Sequence, residues 1–212
     1  MSRTLIFKVS EMSEKDILQA ARALTAGAVA VVPTDTVYGI GTGALCEDSI
    51  QRIYTLKNRP ASNPLQILTG SLEQARRMAE FSGGALRLAQ KFWPGGLTMI
   101  LSPSPEGRTL ARGFTGIGLR VPNCTFLSAL LYAMPLPLAC TSANLHGQPV
   151  LTEETDVLET FDGKADYIFL DGILNPVASS VVDLTGEPVL LREGDISRAE
   201  LERVWGGPFY VK

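Results

Sequence analysis

The sequence predicts an α/β fold, a sheet covered by helices within one domain spanning 1–212. Three observations carry this. Short apolar runs that read as strands alternate with stretches of helical spacing along the whole chain. The 212 residues, 45% of them hydrophobic, can bury a sizeable core. No internal repeat, low-complexity tract or linker interrupts them.

The first strand reads over 4–9. Ser13 is placed to cap a helix over about 14–26, with Ile17, Ala20, Ala21 and Leu24 on one face and Gly27 as its stop. The apolar run Ala28 to Val32 reads as a strand buried on both faces. Helical spacing returns at Ile50, Ile53, Tyr54 and Lys57, and Pro60 ends it. A strand over 65–68 precedes helices over about 72–80 and 84–92, and Trp93-Pro94-Gly95-Gly96 breaks the chain. Strands follow at 97–101 and 118–121, with an irregular loop over 102–116 between them. A helix over 125–132 leads to a strand over 136–140. Thr152 is placed to cap a helix reaching about Phe161, with Glu153 and Glu154 in its first turn. Strands at 167–170, 181–184 and 189–191 precede a last helix capped by Ser197 and running to about Val204.

Charge and composition narrow the function. Nineteen Lys and Arg against 22 Asp and Glu give a net charge of −3. A protein that coats nucleic acid by bulk electrostatics is basic, so that class is disfavoured, while a local basic pocket is not. The longest apolar runs fall short of a membrane span, and the first seven residues are too short and mixed for a signal peptide. Cys46, Cys124 and Cys140 are an odd number without a C-x-x-C pair, which suits reduced thiols in a cytoplasm. His146 is the only histidine. A histidine-based nucleophile would have to run through it, and no zinc ligands cluster near it. The remaining tools are lysine, arginine, hydroxyls and carboxylates.

Five sets of residues place such groups at the ends of predicted elements, several of them at strand ends, where open α/β sheets bind ligands. Pro33-Thr34-Asp35-Thr36-Val37-Tyr38-Gly39 follows the buried strand. In Lys57-Asn58-Arg59-Pro60-Ala61-Ser62-Asn63-Pro64 a lysine, an arginine and an amide lie in a loop stiffened by prolines. Lysine offers a point charge and arginine a planar fork, the tools for gripping phosphates. The helix dipole alone would also favour Lys57 where it stands. Thr141-Ser142-Ala143-Asn144 follows another strand. Arg120 and Arg192 each close a strand-like run, and Ser179-Ser180-Val181-Val182-Asp183 leads hydroxyls into one. No Walker loop and no G-x-G-x-x-G occurs, and Gly39-Ile40-Gly41-Thr42-Gly43 lacks the latter's spacing.

Taken in order, "PTDTVYGIG", "KNRPASNPL", "FWPGGLTMIL", "GLRVP", "TSANLHGQP", "SSVVDLTG" and "LLREG" resemble the YrdC-like family of L-threonylcarbamoyladenylate synthases over nearly the whole chain. The resemblance implies a single-domain twisted mixed sheet flanked by helices, with a deep basic cavity. It implies a nucleotidyltransferase that forms threonylcarbamoyl-AMP and pyrophosphate from L-threonine, bicarbonate and ATP, with magnesium carried by the phosphates and no metal held by the protein. The product serves the threonylcarbamoyladenosine modification of tRNA through downstream transferase proteins, and the resemblance extends to a contact with tRNA or double-stranded RNA.

By the same matching, Lys57 and Arg59 are the catalytic cations. Arg59, Asn63, Ser142, Asn144 and Arg192 hold ATP. Thr36, Arg120 and Ser179 hold threonine, with Arg120 on its carboxylate. Two departures stand out. Leu68 occupies a position where many members carry histidine, and Thr141 one where the family often has proline. An RNA-binding module and a YciO-type paralogue with a different acceptor are the alternative readings.

Overall fold

The computed structural model describes residues 3–174 and 177–211. The chain is mixed α/β, as the alternation predicts, and forms two compact units: Met1–Leu65 with Cys124–Pro176, and Gln66–Asn123 with Val177–Lys212.

The first unit begins with strand β1 (Leu5–Lys8) and helix α1 (Glu14–Thr25). Ser13 and Asp16 form a reciprocal capping box at the start of α1. Gly27, at φ 99°, turns the chain out of the helix, and Ala28 N donates back to Ala23 O at 2.9 Å. Strand β2 (Ala30–Val32) leads through the threonine loop into strand β3 (Gly39–Gly43) and helix α2 (Glu47–Lys57).

Strand β3 is where the sequence reading differs most. Glycines rarely form strand interiors, so Gly39 to Gly43 carries no strand signal. Here the glycines permit close approach. A Cβ at Gly41 would lie 2.7 Å from Ala139 O, and one at Gly43 would lie 2.7 Å from Leu24 O.

The chain returns to this unit with α6 (Thr125–Ala133), β7 (Leu138–Ser142), α7 (Glu154–Phe161) and β8 (Tyr167–Leu170). Strand β7 runs two residues later than predicted because its ladder with β3 extends from Gly43↔Leu138 to Gly39↔Ser142. Glu153, not Thr152, occupies the cap position of α7, without a side-chain bond. The Thr152 carbonyl instead accepts from Leu174 N at 2.9 Å, which fixes that residue outside the helix.

The strands run in the order β1-β8-β2-β3-β7. β1, β8 and β2 are parallel, and β3 is antiparallel to both β2 and β7. Strands β2 and β7 therefore point the same way, and the loops after them leave from the same end. One face buries Val31, Ile40 and Ile168 against Ile53 of α2 and Phe161 of α7. The alternate residue Phe169 meets Phe126 of α6 with ring centroids 5.1 Å apart. Both faces are covered, which suits the unbroken apolar run of β2.

The second unit contributes β4 (Gln66–Leu68), α3 (Leu72–Met78), α4 (Gly83–Phe92), β5 (Leu97–Leu101), α5 (Arg108–Ala111) and β6 (Ile117–Arg120). It ends with β9 (Ser180–Asp183), β10 (Val189–Arg192), α8 (Arg198–Trp205) and β11 (Tyr210–Val211). Ser197 and Glu200 form the capping box of α8. Sequence spacing misses α5 and β11, because single turns and two-residue strands carry no periodicity. The strand order is β4-β6-β5-β9-β10-β11. β5 is antiparallel to β6 and parallel to β9, and β9 is antiparallel to β10. This places the end of β6, the starts of β5 and β9, and the end of β10 at one edge. Arg120, Thr98, Ser179 and Arg192 gather there.

Candidate functional site

In the first unit the site is built on Lys57. As the last residue of α2 it is only 2% exposed, an unusual burial for a lysine. Its Nζ donates to Ser142 O at 2.5 Å, to Asn144 Oδ1 at 3.1 Å and to Asn144 O. Three protons thus meet three neutral oxygens at the end of β7 and in the loop after it. Desolvation, and then repulsion from Arg59, lower its pKa from 10.5 to about 8.

Asn144 is held from both sides of its amide. Oδ1 also accepts from Ser142 Oγ at 2.6 Å, and Nδ2 donates to Gln148 O at 2.6 Å. His146 N donates to Lys57 O at 2.8 Å, closing the loop on the helix end, while the residue itself is exposed. Lys57 of the Lys57-Asn58-Arg59 segment (K-x-R) and Ser142-Ala143-Asn144 (S-x-N) are therefore joined in one hydrogen-bonded assembly.

Asn58, left-handed at φ 51°, ends α2 and turns the chain into the Arg59 loop. Arg59 organises that loop: Nε donates to Asn63 O at 2.9 Å and Nη2 to Pro64 O at 3.0 Å. Tyr54 Oη donates to the same Asn63 carbonyl at 3.0 Å. Burial lowers the Arg59 pKa from its ordinary value. The Asn63 residue is exposed at the loop surface.

At the end of β2, the hydroxyl of Thr34 bonds Val37 O at 2.7 Å, accepts from Thr36 N at 3.1 Å and lies 3.0 Å from the Thr36 hydroxyl. Thr36 is 1% exposed. These local bonds fix the turn, and Tyr38 anchors its far end through Oη to Gly172 O at 2.7 Å.

The second unit carries the arginine pair. Arg120 is 2% exposed, and its Nε donates to Gly95 O at 3.0 Å. Arg192 donates through Nε to Ser179 O at 2.9 Å and through Nη2 to Ser179 Oγ at 3.1 Å. Desolvation, and then the charge of Arg120, lower the Arg192 pKa. Ser180, beside Ser179, serves the backbone: its hydroxyl donates to Ile196 O and accepts from Gly194 N and Ile196 N.

Two residues that sequence reasoning missed join this set. Thr98 Oγ1 lies 3.1 Å from Ser179 Oγ and donates to Gln66 Oε1 at 2.8 Å. Their only signal is one polar residue inside each apolar run, "LTMIL" and "LQIL". Leu68, where many resembling sequences carry histidine, is fully buried. Cys46, Cys124 and Cys140 are not in disulfides, and burial pushes the Cys124 thiol pKa up. Among the described residues no three His, Cys, Asp or Glu side chains gather as a metal ligand set. No helix there is long and apolar enough to cross a membrane.

The Sua5–YciO–YrdC family profile, described as telomere recombination, matches residues 22–194. This chain belongs to that family. It is 39% identical to the threonylcarbamoyl-AMP synthase of Pyrococcus abyssi over 96% of this chain and 61% of that protein. It is 34% identical to the Bacillus subtilis protein of the same name, over 99% of this chain and 62% of the other. The solved structure of P. abyssi Sua5 complexed with L-threonine superposes with a TM-score of 0.90 at 36% identity, over 100% of this chain and 63% of that one. The chain thus spans about three fifths of the length of these relatives. In this Sua5–YciO–YrdC chain Lys57 ties the end of α2 to Ser142 and Asn144.

Proposed function

We propose that this chain is an L-threonylcarbamoyladenylate synthase, a nucleotidyltransferase that joins L-threonine, bicarbonate and ATP into threonylcarbamoyl-AMP with release of pyrophosphate. The observation that carries the reading is the single assembly of Lys57, Ser142 and Asn144, which unites the K-x-R and S-x-N elements. The similarity to a synthase whose solved structure is complexed with L-threonine supports the amino acid as substrate.

The chemistry fits these residue types. Threonine's amine and bicarbonate condense to a carbamate with loss of water. A carbamate oxygen then attacks the α-phosphorus, and the bond to pyrophosphate breaks. Carbamate and triphosphate are both anionic, so the reaction needs fixed positive charge more than a nucleophilic side chain. Each hydrogen bond to a charged group contributes roughly 1.5–3 kcal/mol, so a few such cations are decisive. Holding the partners together removes the cost of an encounter between anions.

In this proposal Lys57 and Arg59 stabilise the charge developing on the phosphates. Arg59, Asn63, Ser142, Asn144 and Arg192 hold ATP. Thr36, Ser179 and Arg120 hold threonine, Arg120 by its carboxylate. Lys57 and Asn144 also order the end of β7 and the loop after it through their mutual bonds, while the Ser142 hydroxyl, whose proton goes to Asn144 Oδ1, keeps its lone pairs. Magnesium enters with the phosphates of ATP. The product is passed on to tRNA threonylcarbamoyl-transferase proteins.

The assay is pyrophosphate release from ATP. It is expected only when threonine and bicarbonate are both present. Release that is indifferent to threonine would sink the assigned substrate.

A further inference from the structure

The second unit contains a hydrogen-bond chain that runs inward from Arg192 through Ser179 and Thr98 to Gln66. Each contact lies within bonding range: 3.1 Å from Arg192 Nη2 to Ser179 Oγ, 3.1 Å between the two hydroxyls, and 2.8 Å from Thr98 to Gln66. Ser179 and Thr98 are 3% and 4% exposed, so water offers little alternative to these partners.

The protons along this chain can be followed one by one. A hydroxyl has one proton and two lone pairs, and an amide oxygen has only lone pairs. Gln66 Oε1 therefore accepts, and Thr98 gives it its single proton. The contact between Thr98 and Ser179 must then use the proton of Ser179. Arg192 has only protons to give and fills one Ser179 lone pair. What Ser179 has left is a lone pair and no proton.

We infer that Thr98 and Gln66 are positioning residues that hold Ser179 as an obligate acceptor for a donor group of the amino-acid substrate. This rests on the synthase reading, in which Ser179 lies with threonine. The donor is either the nitrogen-borne N–H or the β-hydroxyl of threonine, and both share the chemistry of offering a proton. A carboxylate or phosphate oxygen finds no proton at Ser179 and is left to the arginines. A buried site that matches donor to acceptor discriminates strongly, because a mismatched group stays unpaired. The opposite amide orientation of Gln66 would reverse the two bonds at Thr98, leave Arg192 donating to Ser179, and make Ser179 a donor, which is the outcome the variants distinguish.

The test measures pyrophosphate release by Thr98→Val, Thr98→Ser and Gln66→Leu against the unsubstituted protein, with threonine and with 2-aminobutyrate, which lacks the hydroxyl. Valine matches threonine in shape and frees the Ser179 proton. Thr98→Val is expected to raise the KM for threonine roughly tenfold, the size of one hydrogen bond to a charged or strongly polar group, with the KM for ATP held within about twofold. Thr98→Ser restores the threonine KM. Gln66→Leu, at a half-buried position, shifts it in the same direction as valine. If 2-aminobutyrate is insensitive to Thr98→Val the donor is the β-hydroxyl, and if it loses as much as threonine the donor is the nitrogen.

An unchanged threonine KM in both Thr98→Val and Gln66→Leu overturns the inference. So does a parallel rise in both KM values that serine fails to relieve, which marks a merely structural role. Absence of threonine-dependent turnover in the unsubstituted protein fails the synthase reading itself and is seen before any variant is compared.

Discussion

Lys57 closes α2 with an ammonium group that is buried and faces three neutral oxygens rather than a carboxylate. The helix dipole explains a cation at a helix end, but not one withdrawn from water. Its pKa of about 8 lies below the value of 10.5 that it has in an unfolded chain. Below pH 8 both states hold the proton and the cost of burying it is paid in full. Between about pH 8 and 10.5 the unfolded state holds the proton and the folded state does not, so stability rises with pH across that window. Relative to Lys57→Met, the native protein should gain on the order of 3 kcal/mol between those limits, from about 1.4 kcal/mol per unit. Urea midpoints at pH 7.5 and 10 for the two proteins read this directly, and equal slopes would refute it. Turnover is expected to move the other way, falling above pH 8 as the charge is lost. Arg59 makes a contrast, since it is less buried than Lys57 and donates to two carbonyls of its own exposed loop. Arg59→Ala should cut turnover by about 10- to 100-fold, the value of one charge-assisted bond, with little change in melting temperature.

At the level of elements, the positions that sequence made readable are those where local chemistry and tertiary structure agree. Ser13 and Ser197 each cap the helix expected of them, and the apolar runs of β2, β5 and β8 are strands. Thr36, Arg120, Ser142 and Arg192 were legible as groups at or just beyond strand ends, and Lys57 as the end of a helix, because residue type and position coincide there. Strand β3 was not, because its glycines are demanded by β7 and α1, neighbours remote in sequence. Thr98 and Gln66 stayed hidden for a related reason: a single polar residue in an apolar run does not announce its partner. The β3–β7 contact yields a stability prediction. Gly41→Ala forces a Cβ to within 2.7 Å of the Ala139 carbonyl, a backbone atom that moves only with its strand. A loss of about 1–3 kcal/mol is expected, the usual range for overpacking. Gly186→Ala, with nothing within 4 Å of its added carbon, is the control and should stay within about 0.5 kcal/mol of the native protein. Denaturant unfolding measures both, and equal effects would mean that β3 has room to spare. Since β7 carries Ser142 and leads to Asn144, Gly41→Ala should also lower turnover.

Across the whole molecule the charge is −3, while the proposed function draws on the cations Lys57, Arg59, Arg120 and Arg192. In the proposed reaction the charge that matters is carried by these four residues and not by the net charge of the chain. An RNA contact would have to draw on the same kind of local cations, and its affinity would fall steeply with salt. Small anionic substrates suit this distribution better, and ligand linkage tests that on the intact chain. A ligand that binds only the folded state at about 100 times its Kd adds roughly 2.7 kcal/mol of stability. For a chain of this length that corresponds to a rise of roughly 5–10 °C in Tm. Threonine and α,β-methylene-ATP, which cannot release pyrophosphate, should each produce such a shift, and saturating salt should diminish the nucleotide's more than threonine's because more charge is neutralised. Leucine, which lacks the β-hydroxyl and is bulkier, should leave Tm unchanged. Equal shifts from leucine and threonine would show that the chain does not select its amino acid, and the synthase reading would then lose its substrate.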